Sequence, residues 1–214
     1  MATTISAGTN PYKLGSPPDF GTLYSGRALE FDGVTDYVDC GSDASLDDVF
    51  DGGGSLSAWI SPDSAGGGTY GRIITKGTPV RFEVRDLSGG NLKLFFNKTF
   101  SGTQGYWTTD DRIVPVSSWS HVVVTYDSDS DDNDPIIYVN GVSVALTEGS
   151  TPDGTRTTDA SSNLYIGSAS GGANYFDGKM TNVQVWDKVW SLSDVQYAYT
   201  HPEKLITDNS AVTS

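Results

Sequence analysis

The chain has 214 residues, of which 36% are hydrophobic and 11% aromatic, enough for one packed domain and too many for global disorder. Its formal net charge of −14 argues against a nucleic-acid partner, because phosphate contact needs a basic face. One cysteine excludes an intramolecular disulfide, and no apolar run approaches the ~18 residues of a membrane span.

Residues 1–27 are rich in breakers, Asn10-Pro11 and Pro17-Pro18 among them, and read as an extended arm or linker. Met1–Ser6 has neither the basic nor the apolar region of a signal peptide. Strand signals begin at Ala28, where Leu29 and Phe31 alternate with Glu30 and Asp32, and continue at Tyr37-Val38. Ser55–Ile60, Arg72–Thr75, Val80–Arg85 and Leu92–Phe96 follow at short spacing. The third of these alternates cleanly, with Val80, Phe82 and Val84 expected inward and Arg81, Glu83 and Arg85 outward. Residues 97–110 read as a polar loop spotted with aromatics. Arg112–Val114, Trp119–Tyr126, Ile136–Val139, Val142–Leu146, Leu164–Ile166 and Met180–Trp186 complete the strands. Asn140-Gly141 is expected to close a tight hairpin, since both residues tolerate φ > 0. One helix is expected over Leu192–Tyr199, with Ser191 or Ser193 as N-cap and Pro202 beyond its end. Residues 201–214 return to linker composition. The expected fold is all-β: a two-sheet antiparallel sandwich over residues 28–200 with one short C-terminal helix, a twisted barrel being the alternative architecture.

Four segments resemble laminin-G-like jelly-roll domains of the concanavalin A-like superfamily. They are Ala28–Gly33 with Asp36-Tyr37-Val38, Ser55–Ile60, the pair running from Trp119 to Asn140-Gly141, and Phe176–Met180 continuing into Val183–Asp187. Leu192-Ser193 matches the short helix that usually follows. The resemblance implies two antiparallel sheets packed face to face, with ligands at loop rims or on one sheet face, glycans or proteins as partners, and calcium in some members. The pattern also resembles virion proteins of marine phages, which implies a virion or extracellular location.

Three site chemistries are expected or weighed. Glycan binding needs rings for sugars to stack on and Asp or Asn groups to fix hydroxyls. Aromatics placed in Gly-rich loops nominate Tyr70, Tyr106, Trp107 and Tyr175, with Asn174 beside them. Trp59, Trp119 and Trp186 fall in strands and are expected in the core, while Trp190 anchors the connection to the helix. Calcium has two candidate sites. One is the acidic loop carrying Asp127, Asp129 and Asp131, spaced like the start of an EF-hand but with Asp132 and Tyr138 where that motif needs Gly and Glu. The other, implied by the resemblance, is Asp32, Gly33 and Asp36. Only four of the 27 acidic residues are glutamate; aspartate is both a turn former and a hard oxygen ligand, so solubility and ion binding both fit. Glycoside hydrolysis needs two carboxyls about 5–5.5 Å or 6.5–9.5 Å apart. Glu30 and Asp32 share a strand face, but Val34 stands where the resemblance implies a third acid, so no catalytic residues are assigned. His121 is expected to be structural.

The expected function is non-enzymatic recognition of a glycan or cell-surface polysaccharide, an adhesion role displayed on a phage particle. The alternative is a structural capsid decoration or fibre element contacting other virion subunits, with a homo-oligomer compatible with either; a glycoside hydrolase ranks third.

Overall fold

A computed structural model describes residues 28–170 and 172–202. The arm expected over 1–27 and most of the tail expected over 201–214 lie outside the described residues. Fourteen strands run in chain order. They are β1 (Leu29–Asp32), β2 (Val38–Asp39), β3 (Gly54–Pro62), β4 (Tyr70–Lys76), β5 (Val80–Ser88), β6 (Asn91–Lys98), β7 (Gly105–Thr109), β8 (Val114–Pro115), β9 (Ser120–Tyr126), β10 (Ile136–Val139), β11 (Val142–Ser143), β12 (Leu146–Ser150), β13 (Leu164–Ile166) and β14 (Asp177–Trp186). A helix, α1 (Leu192–Thr200), follows. The smaller sheet has the order β1-β14-β3-β9-β10-β11, and the larger, eight-stranded sheet has the order β12-β7-β6-β5-β4-β13-β2, with β8 pairing with β6. All pairings are antiparallel, as the expected jelly roll requires.

Period-2 side-chain alternation builds the core between the sheets. Leu56, Ala58 and Ile60 of β3 meet Phe82, Val84, Leu94 and Phe96 of β5 and β6 in one cluster, all essentially without exposure. Removing one such side chain from water contributes about 1.5–3 kcal/mol. A register shift in β4 between Arg72 and Ile74 turns both Ile73 and Ile74 into this core, which simple alternation does not anticipate.

The smaller sheet is buried on its other face as well. Trp59 of β3, expected in the core, is fully buried but packs beneath α1, its ring stacked 5.6 Å from Tyr199 and 5.2 Å from the His121 ring. The Ser57 hydroxyl and His121 Nε2 are 2.9 Å apart. A second cluster, Val123, Tyr138, Trp190, Val195 and Ala198, completes this layer. A nine-residue helix is too short to persist alone, so its apolar contacts and its capping box hold it. Ser191 Oγ accepts from Asp194 N, and Asp194 Oδ2 accepts from Ser191 N.

Several expectations need correction. Residues 97–110 are not one loop, because β6 runs to Lys98 and β7 occupies Gly105–Thr109. The Val142–Leu146 strand is two strands, one in each sheet. Trp119 precedes β9 and is half-buried rather than a core strand residue. The Asn140-Gly141 turn has φ of 52° and 80°, as a tight hairpin demands.

Candidate functional site

The outer face of the larger sheet carries an array that no single strand displays. Outward residues of β4, β5, β6 and β7 align by register into three rows: Tyr70–Arg85–Lys93, Arg72–Glu83–Phe95–Thr108 and Thr75–Arg81–Asn97–Tyr106. At the centre, the Glu83 carboxylate is ion-paired with Arg72 and accepts from both Nε and Nη2 of Arg85. Glu83 points away from the sandwich core, as alternation expects, yet it is fully buried beneath this arginine pair. Burial, reinforced by Arg81 and Arg85, brings the Arg72 guanidinium down to about 10, so it stays charged at neutral pH.

Aromatic rings flank the charges. The Arg85 guanidinium carbon lies 3.5 Å from the Phe95 ring centroid and 4.6 Å from that of Tyr70, a cation held between π faces. Tyr106 stacks on Phe95 at 5.6 Å. On the other side, Arg81 donates from Nε to Asn97 Oδ1 and from Nη2 to Gln104 Oε1, each at 2.9 Å. Asn97 Nδ2 donates to Gln104 Oε1 and to the Gly105 carbonyl, which orients both amides. Tyr70, Tyr106, Arg81 and Arg85 are half-buried and Gln104 is exposed, while Phe95 and Asn97 lie buried beneath them. The surface they form can stack on an apolar ring face and donate to ligand oxygens.

A family model described as concanavalin A-like lectin/glucanases superfamily matches residues 32–196. The chain belongs to this superfamily. No curated protein matches it in sequence. Several solved structures share the fold. The sialyllactose-bound carbohydrate-binding module of a Ruminococcus gnavus sialidase is 14% identical with a TM-score of 0.54, over 80% of this chain and 97% of that one. A heptameric pentraxin from Limulus polyphemus is 16% identical, TM-score 0.52, over 69% and 70% of the two chains. A Bacteroides ovatus protein described as carbohydrate-binding is 19% identical, TM-score 0.53, over 79% of this chain and 45% of its own. At these identities the likeness concerns the fold.

On this concanavalin A-like frame the nominated aromatics separate. Tyr70 and Tyr106 are half-buried on the outer face, two of the rings in the array. Asn174 and Tyr175 border it: the Asn174 carbonyl accepts from Arg72 N, and the Tyr175 ring lies 6.4 Å from that of Tyr37. Trp107 is the correction. Alternation in β7 turns its ring inward, where it is 1% exposed and stacks with Phe96 in the core, so no sugar can reach it. Its Nε1 donates to Asp134 Oδ1 at 2.8 Å. Sequence reasoning did not nominate Arg72, Arg81, Arg85, Phe95 or Asn97 as site residues. The outward Arg81-Glu83-Arg85 alternation was the available signal.

The carboxylates of the acidic loops are engaged by hydrogen bonds within the chain. Asp32 Oδ1 accepts from the backbone N–H of Val34, Thr35 and Asp36, and Oδ2 from the Thr35 hydroxyl. These bonds hold its carboxyl far below the usual carboxylate range. Asp36 Oδ2 accepts from Asp32 N in return, and Gly33 takes the positive φ of the turn. In the second loop Asp127 accepts from Asp129 N, Asp129 from Gly52 N and Arg156, and Asp131 from Gly154 N. Backbone amides and Arg156 thus relieve the carboxylate crowding. Asp129, Asp131, Gly154 and Arg156 line an open cavity of about 510 Å³. Among the described residues no three His, Cys, Asp or Glu side chains converge on one point.

Proposed function

We propose that the domain is a non-enzymatic carbohydrate-recognition module that binds its glycan on the outer face of the larger sheet. The observation that carries this reading is the Tyr70–Arg85–Phe95–Tyr106 stack beside the Arg81–Asn97–Gln104 network. Sugar rings present C–H faces to aromatics and hydroxyls to amide and guanidinium groups, and here both kinds of partner are rigid and adjacent. The carbohydrate-binding modules among the solved structures of this fold add support. The carboxylates speak against hydrolysis. Asp32 is consumed by its turn, Glu83 by two arginines, and the exposed Glu30 is paired with Lys179 at 3.4 Å, so each of these strand-face carboxylates already has a partner. A shallow face of this kind binds weakly per site, and display in many copies on a particle, the phage setting implied by the sequence pattern, would add avidity.

The test is a glycan-array screen of the wild-type protein beside Tyr70→Ala and Tyr106→Ala. Glycan binding that is lost in both variants, with melting temperatures retained, supports the reading. Binding that survives both substitutions, or release of reducing ends from a bound polysaccharide, contradicts it.

A further inference from the structure

We propose that this face selects glycans carrying an oxyanion, a carboxylate or a sulfate ester, and that Arg81 holds the acidic group. The proposal rests on the same face being the glycan surface. A chain of net charge −14 contains only six arginines, and three of them, Arg72, Arg81 and Arg85, project from adjacent strands here, with Lys93 aligned to Arg85. Acids on or beside the array include Glu83, within it, Asp86, next in sequence to Arg85 and exposed, and the exposed Asp153, which bridges Thr103 next to Gln104.

Glu83 pairs with Arg72 and Arg85. Arg81 differs. Its two hydrogen bonds go to uncharged amide oxygens, and among the described residues it has no ion pair with a carboxylate. A half-buried guanidinium has lost part of its hydration, a loss that an incoming anion offsets. Two of its five N–H donors are used in orienting it, which leaves the rest of the planar fork to offer. A fork of that shape matches two oxygens of one carboxylate or sulfate. Tyr106 lies in the same row two strands away, about 10 Å at the usual strand spacing. A sugar ring on Tyr106 therefore brings an acidic substituent, its own or its neighbour's, within reach of Arg81.

The experiment is calorimetric titration at about physiological ionic strength, where screening is short-ranged, with oligogalacturonate, dextran sulfate and uncharged dextran as probes. The proteins are the wild type, Arg81→Gln, Arg81→Lys, Tyr106→Ala and, as a charge control at an arginine already ion-paired with Asp51 and Asp129, Arg156→Gln. The expected result is wild-type binding to one or both anionic probes, at least tenfold weaker in Arg81→Gln, weakened also in Arg81→Lys, and unchanged in Arg156→Gln. Oligogalacturonate and dextran sulfate tell carboxylate from sulfate. If Arg81→Gln fails to fold, Gln104→Ala at its exposed position removes one of the acceptors that orient Arg81 and is expected to weaken anionic binding in its place. Equal affinity of wild type and Arg81→Gln for the anionic probes overturns the inference. Tyr106-dependent binding of uncharged dextran that ignores Arg81 overturns the inference and leaves the glycan reading standing. Absence of binding to all three probes counts against both.

Discussion

The Arg85 guanidinium lies 3.5 Å from the centroid of the Phe95 ring, on the sheet face that alternation assigns to solvent. A cation, its carboxylate partner and an aromatic ring thus form a second packed layer outside the sandwich core. That layer covers the part of the larger sheet's outer face proposed to meet a glycan.

The layer is organised by Glu83, which is fully buried between Arg72 and Arg85. Removing one partner of a buried pair strands the others, at roughly 3–5 kcal/mol. Glu83→Gln is expected to lose about that much stability in urea unfolding. The exposed Lys179–Glu30 pair provides the contrast: Lys179→Ala is expected to change stability by under about 1 kcal/mol. A Glu83→Gln protein as stable as wild type would contradict the layer's role.

Tyr106 can be displaced without touching it. A methyl added at Gly149 would meet the Tyr106 ring at 2.1 Å, and the ring, being the far end of a side chain, must swing off Phe95. Gly149→Ala is expected to fold normally and to bind glycan several-fold more weakly, read by titration beside a thermal melt. Unchanged affinity would mean that Tyr106 does not contact the ligand.

Trp107 belongs to the core. Trp107→Phe keeps a ring there but loses the Asp134 hydrogen bond and part of the indole's packed volume, at a cost of about 1–3 kcal/mol. Trp107→Ala is expected to cost about 3–5 kcal/mol. Glycan affinity should follow Trp107→Phe unchanged. A selective loss of affinity in that variant would return Trp107 to the binding surface.

His121 sets an acid dependence of stability. Burial brings its pKa down from 6.5 to about 3, so the folded chain keeps it neutral while the unfolded chain takes up a proton below about 6.5. Between those values the unfolded state binds more protons, and stability falls as pH falls. His121→Gln is expected to be less stable than wild type at pH 7 but to lose less on going to pH 5, measured by urea unfolding at each pH. Parallel slopes would show that His121 is not the titrating group.

Much of the fold was legible in local pattern. Val80–Arg85 alternates as it reads, Asn140-Gly141 turns where φ must be positive, and Ser191 caps the helix with Asp194. What was not legible depends on contacts distant in sequence. The irregularity that turns both Ile73 and Ile74 inward has no periodic signature. β7 reads as loop because Tyr106, Thr108 and Thr109 dilute its apolar signal, and that misreading put Trp107 on the wrong face. Trp59 and His121 read as strand residues, but their burial needs α1, which arrives more than seventy residues later in the chain. The site itself is a product of register. Arg72, Glu83, Phe95 and Thr108 come from four strands and meet only once those strands pair.

The most direct test of the outer-face account is a backbone amide NMR titration of the protein with oligogalacturonate. Shift changes concentrated at Tyr70, Arg81, Glu83, Asn97 and Tyr106 are the expected result. Changes confined to the acidic loop Asp127–Asp134 with Arg156, or to the Asp32–Asp36 turn, would contradict it.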